Sequence, residues 1–242
     1  MKLRIKVNKR TVGVIVFELA LAMLSLVVSQ FVIGFPFMWL LGKSFALPIW
    51  TCIYYALSYS LALWLVLWLA PRLWQKITHQ SDLDPQAEEL GVNKWPTFVD
   101  LGLAPIGYVV YIILARGLTS IMELLPWFDS GEAQDVGFSY LGGFGDKIIA
   151  FIALVLIAPI AEELIMRGWL YGKIRNKLKM LPAMLLVSVV FALLHGQWNV
   201  AVTTFAMSII LCSMREMTGS IWSGMLLHML SNGIAFYLLY TL

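Results

Sequence analysis

Apolar runs of about 20 residues recur along this chain, the length one helix needs to cross the hydrocarbon core of a bilayer. About seven are found, near residues 12–34, 47–70, 97–115, 147–168, 182–198, 199–214 and 220–241. In lipid every backbone N–H and C=O must be satisfied within the protein, so runs like these fold as helices rather than open sheets. Composition agrees, with 60% hydrophobic and 13% charged residues and a mean hydropathy of +0.83. An ordinary soluble domain carries about 25% charged residues. The expected fold class is an all-α integral membrane protein, a polytopic helical bundle of about seven transmembrane helices.

The basic start, with Lys2, Arg4, Lys6, Lys9 and Arg10, leads into an apolar run longer than the core of a cleavable signal. It reads as a first spanning helix. Lys and Arg near span ends favour the cytoplasmic side. If every segment crosses, the N-terminal cluster, Arg72, Lys76, Lys173, Arg175, Lys177, Lys179 and Arg215 all fall on one side. The other side holds Lys43, then Arg116 and Lys147 at the borders of an acidic loop with Glu123, Asp129, Glu132, Asp135 and Asp146. The expectation is a multi-pass cell-membrane protein with its N-terminus cytoplasmic and its C-terminus outside. Basic residues confined to span ends also give no reason to expect a nucleic-acid partner. Cys52 and Cys212 both lie within spans and have no metal-type neighbours, so neither a disulfide framework nor a cysteine metal site is expected.

The loop from Pro71 to Pro96, with Asp82, Asp84, Glu88 and Glu89, reads as a solvated cytoplasmic connection. It divides the chain into an N-terminal transmembrane hairpin with its loop, residues 1–95, and a core, residues 96–242, with the chemistry in the last four spans. Ile121–Phe128 is too short to span and is placed in the interface, where Trp and Phe are at home. Tyr140–Gly145 is Gly-rich but lacks the strand and lysine of a phosphate loop, and reads as a turn. Asp100 and Arg116, at the borders of the third span, are given structural or topological roles.

Within the fourth span stand Glu162, Glu163 and Arg167. A charged side chain at membrane depth costs roughly 2.5–3.5 kcal/mol on insertion scales, and such groups are retained where they face a bundle interior or a wet cavity. On a helix Glu163 and Arg167, four apart, can pair, whereas Glu162 points about 100° away and is left without an evident partner. A carboxylate held away from bulk water becomes the better proton acceptor. The plainer reading is a solvated patch at the cytoplasmic end of the span. Pro159, one turn before Glu163, is placed to kink the helix and free a carbonyl lining a cavity.

Two of the three histidines, His195 and His228, also fall in apolar spans, and Asn232 follows His228 by one turn on the same face. Phe191, one turn before His195, is placed to pack under its ring. Three helices then bring Glu, His and His/Asn into one bundle. The chain has no Gly-x-Ser-x-Gly elbow, no Cys close to a His and no His-Glu-x-x-His helix. The remaining inventory fits a water activated by Glu162, with His and Asn donors stabilising an oxyanion. It equally fits a metal held by Glu162, His195 and His228. Spacing does not choose between them, and hydrolysis within the membrane is the reaction class both imply.

Glu162-Glu-Leu-Ile-Met-Arg167, Phe191-Ala-Leu-Leu-His195 and His228-Met-Leu-Ser-Asn232, in this order, resemble three motifs of the CAAX-protease and bacteriocin-processing family. These are Abi-type intramembrane proteases, related to the endopeptidase that trims prenylated CAAX proteins. The resemblance covers roughly Ile148 to Tyr240, including the Thr218–Trp222 turn, and leaves the N-terminal spans uncovered. It implies that Glu162 activates water, that Glu163 and Arg167 support it, and that His195, His228 and Asn232 bind the water or the oxyanion. It implies no required cofactor, with a divalent metal such as zinc as the alternative, and a prokaryotic source. The implied partners are membrane lipids and a substrate that is a membrane-associated or lipidated peptide or protein. A membrane protein partner is possible within the family. The cavity is expected to open towards the cytoplasmic half or laterally to lipid. A non-catalytic immunity factor or scaffold of the same fold is the alternative, and a proton-relay transporter is disfavoured by the lack of an internal repeat.

One difficulty is apparent already. With straight, centred spans, Glu162 and His195 would be roughly 15 Å apart in depth. The motifs are nonetheless expected to converge. Separations above about 12 Å from the Glu162 carboxylate to both imidazoles would exclude a shared water.

Overall fold

The computed structural model describes residues 9–79, 83, 86–132, 134, 136–138 and 141–240. Lys2, Arg4, Lys6, Asp82, Asp84, Asp135 and Tyr140, invoked above, lie outside the described residues.

Seven helical rods follow one another: α1 (Lys9–Leu41), α2 (Pro48–Thr78), α3 (Phe98–Met122), α4 (Phe144–Arg175), α5 (Met180–Leu193), α6 (Trp198–Thr218) and α7 (Trp222–Tyr240). Each apolar run thus became one rod, and among the described residues there is no strand. Five of them, α1, α2, α3, α4 and α6, are long and apolar enough to cross a membrane. The protein is an all-α, polytopic membrane protein. Of the other two rods, α5 has 14 residues and α7 has 19, with His228 and Asn232 interrupting its apolar surface.

Local chemistry sets the breaks. Pro48 opens α2, where its missing N–H leaves nothing unsatisfied. Thr97 and Asp100 form a reciprocal capping box at the start of α3. Asp100 is therefore structural, and its other oxygen accepts from Ser220 at 3.3 Å. Gly219, at φ 69°, ends α6 in the left-handed conformation that glycine adopts without strain. Two π-helical stretches interrupt α4, at Ile152–Ile157 and Leu164–Leu170, and another interrupts α2 at Leu65–Leu69.

The second half of α4 is the axis of the bundle. Ile165, Met166, Trp169, Leu170 and Ile174 are fully buried, enclosed by side chains of α1, α2 and α5. On the other side α3, α6 and α7 pack together through Tyr111, Met207, Leu211, Met214 and Leu227.

The basic helix ends meet at one end of the bundle. There Lys177 pairs with Glu18 at 2.8 Å, Lys173 with Glu89 at 2.6 Å and Arg175 with Glu216 at 2.8 Å. The connection from α2 to α3 was expected to be merely solvated, and its described part is not. Leu83 is buried and its carbonyl accepts from Trp169, while both Glu89 oxygens are held, by Lys173 and Asn176. Arg215 donates to the carbonyls of Glu88 and Glu89, each at 2.9 Å. Gly172 permits the approach, since a Cβ there would come within 2.6 Å of the Glu89 carbonyl oxygen.

The opposite end is held by side chains reaching backbone carbonyls. Tyr55 donates to Val136, Tyr240 to Phe138, and Gln197 and Asn199 both to Glu132. Trp127, in the short segment assigned to the interface, meets Trp198 edge-on.

Candidate active site

Three rods deliver the polar residues singled out in the sequence. On α4, Glu163 and Arg167 pair at 2.9 Å and are both buried, as their spacing required. The pair does more than balance charge. Glu163 Oε1 also accepts from His228 Nδ1 at 2.9 Å, a hydrogen bond from α4 to α7 that turns the other ring nitrogen, Nε2, towards Glu162. Glu162 Oε2 lies 3.8 Å from that nitrogen. The separation that would exclude a shared water is therefore not met: the carboxylate and one imidazole face each other.

Phe191 ties this cluster to α5. Arg167 lies over its ring at 4.2 Å, and the rings of His195 and His228 meet it edge-on at 4.9 and 5.9 Å. The expected packing of Phe191 under His195 is present. His195 itself sits in the turn beyond α5, its Nδ1 donating to the Phe191 carbonyl at 2.8 Å. It does not join the Glu162–His228 pair directly, but it lines the same cavity.

Asn232 is anchored by a backbone irregularity in α4. In the π-helical stretch the Ala158 N–H reaches back five residues to Ala153. By that pattern the next carbonyl, Leu154, would await the N–H of residue 159, and Pro159 has none. Asn232 Nδ2 supplies the donor at 2.9 Å. Pro159 thus frees a carbonyl, as expected. The consequence is that one Asn232 hydrogen is committed, leaving its second N–H and Oδ1 for the cavity.

Glu162 was expected to lack a partner, and this is corrected: Tyr59 of α2 donates its hydroxyl hydrogen to Glu162 Oε1. The N-terminal hairpin therefore does not stand apart from the chemistry. Nothing in the sequence around Tyr59 marks it, since it is one of three tyrosines in α2, with Tyr54 and Tyr55, and lies 103 residues from Glu162. The missed Glu18 did carry a signal. It is the one acidic residue in the first apolar run, and it is buried against Lys177.

Glu162, His195, His228, Asn232 and Tyr59 all line one cavity of about 430 Å³. The other walls include Leu26 and Gln30 of α1, Tyr55 of α2, Thr204 and Met207 of α6, and Phe236 and Leu239 of α7. As for a metal, no three His, Cys, Asp or Glu side chains among the described residues are grouped to hold an ion. Glu162, His195 and His228 are not grouped to hold an ion. Cys52 and Cys212 are free thiols.

Fold and site together define a polytopic helical membrane protein with a carboxylate–imidazole pair facing a cavity inside the bundle. Residues 144–234 match the family described as type II CAAX prenyl endopeptidase Rce1-like. This bears out the resemblance read from the three motifs, over the segment that carries them. The UPF0177 protein YxdF of Lactococcus lactis subsp. lactis (strain IL1403) is 31% identical over 90 residues. That alignment takes in 37% of this chain and 49% of the relative, so the match spans about half the relative's length. No solved structure matches the chain.

Proposed function

We propose that this protein is an intramembrane endopeptidase that hydrolyses a peptide bond of a membrane-associated protein or peptide, with Glu162 as the base. The observation that carries this reading is the pairing of Glu162 Oε2 with His228 Nε2, 3.8 Å apart at the cavity wall. That separation is too long for a direct hydrogen bond and short enough for both groups to hold one water. The match of residues 144–234 to an endopeptidase family supports it.

The reaction follows from the parts. Water oxygen attacks the peptide carbonyl carbon while Glu162 takes the water proton. The carbonyl oxygen gains negative charge, and the free N–H of Asn232 is the group able to donate to it, while His228 Nε2, its ring proton committed at Nδ1, accepts from the attacking water. The C–N bond then breaks, and Glu162 passes its proton to the departing nitrogen. The products are a carboxylic acid and an amine. Tyr59 holds Glu162 Oε1, leaving Oε2 as the oxygen that accepts the proton. Glu163 and Arg167 are buried away from the cavity lining, and act by fixing the heading of His228.

The test is digestion of synthetic peptides, with and without a farnesylated C-terminal cysteine, by the purified protein in ¹⁸O-labelled water. One ¹⁸O atom in each new carboxyl group is expected, and none with Glu162→Gln. Products absent from wild-type digests would leave the fold serving a binding role, such as self-immunity.

A further inference from the structure

We infer that the cavity is a shaft closed at the basic end and entered from the opposite, non-cytoplasmic face. The peptide cut at its floor then comes from an exported or outward-facing chain. This rests on the protease reading for what is cut, and on geometry and charge for the side of entry.

Take the closed end first. Below Glu162, the remaining turns of α4 are fully buried through Trp169, Leu170 and Ile174. Leu83 and Glu89 are strapped across them by Trp169, Lys173 and Arg215, and Ile221 N–H bonds to the Gly91 carbonyl. Among the described residues, none that lines the cavity comes from this end. At the open end the wall continues through His195, Gln134, Val136 and Leu239. Gln134 belongs to the acidic connection between α3 and α4, and both it and Leu239 are exposed.

Charge then assigns the sides. The closed end carries Lys9, Arg10, Arg72, Lys76, Lys173, Arg175, Lys177, Lys179 and Arg215, and short basic loops are retained in the cytoplasm. The open end is the far one. This side of entry departs from the cytoplasmic or lateral opening that the resemblance implies.

Depth narrows the substrate. Tyr59, at the floor, is 11 residues along α2 from Pro48, or about 16 Å at 1.5 Å per residue. An extended chain advances about 3.3 Å per residue, so roughly five residues must enter unfolded between the outer surface and the scissile bond. A chain end or an unwound juxtamembrane stretch meets that requirement, and an intact helix or folded domain does not.

Two arms test this. Single cysteines are placed at the rim, Gln134→Cys, on the wall, Ala235→Cys, and at the closed end, Lys94→Cys, with Cys52 changed to Ser and the fully buried Cys212 retained. A membrane-impermeant maleimide added to intact cells is expected to label the first two and not the third, and inverted vesicles to lose the first two and gain the third. The reverse pattern overturns the side of entry, and a wall cysteine unlabelled from either face overturns the open shaft. In the second arm, single-span anchors display a peptide library on one face of the membrane or the other, and only outward display is expected to yield cleavage. Cleavage of inward display alone overturns the inference. Cleavage of neither counts against the protease reading, while the labelling arm still decides the shaft.

Discussion

Charge is used at two depths in this molecule, in two different ways. At the basic end, ion pairs join segments distant in sequence: Glu18 to Lys177, Glu89 to Lys173, Glu216 to Arg175. At mid-depth Glu163 and Arg167 are neighbours on one helix, so their ion pair bridges no gap between elements, and the cluster reaches α7 and α5 only through His228 and Phe191. Their output is the direction of the His228 ring. The pairs at the basic end fasten elements, whereas the mid-depth pair aims a side chain, its burial offset by mutual charge compensation and the His228 hydrogen bond.

The contrast is sharpest at the two adjacent glutamates. Glu162→Gln keeps an oxygen for Tyr59 and should leave the thermal midpoint unchanged, while cleavage falls by about 10²–10⁴-fold, the range for loss of a general base. Equal instability in this variant and in Arg167→Met would erase the distinction. Arg167→Met strands the Glu163 carboxylate in the core and should cost about 3–5 kcal/mol, read from thermal unfolding in detergent. Tyr59→Phe removes one hydrogen bond to a carboxylate, about 1.5–3 kcal/mol, so kcat should fall roughly ten- to hundredfold with little change in KM. An unchanged kcat would return the hairpin to a purely accessory role. Arg175→Gln, whose side chain is 38% exposed, should cost less than about 1 kcal/mol and leave cleavage at the wild-type rate.

The rods were legible because a bilayer imposes one length and one hydrogen-bonding solution, and each apolar run became a helix. The motif residues on α4 and α7 were legible because ionisable groups at depth are rare enough to stand out. Tyr59 was not, because a phenol is equally at home in lipid interfaces, in cores and beside a base, and only the packing of α2 on α4 distinguishes these. The strapping role of Glu89 was hidden by its polar neighbours, Glu88 and Asn93, which read as solvated. The π-helical stretches were also invisible: they leave the apolar pattern almost unchanged while shifting which residues face inwards. That shift, together with an α5 of only 14 residues, is what a drawing of straight, centred spans omits.

Pro159 bears on more than its own helix. By withholding a proton it leaves Leu154 with an acceptor to offer, and Asn232 takes it. A fixed point on the neighbouring rod limits how far α7 can roll about its long axis, and His228 rides one turn away on that rod. Alanine at 159 would restore a competing donor and slacken that bearing, so a backbone vacancy on one helix governs the aim of an imidazole on another.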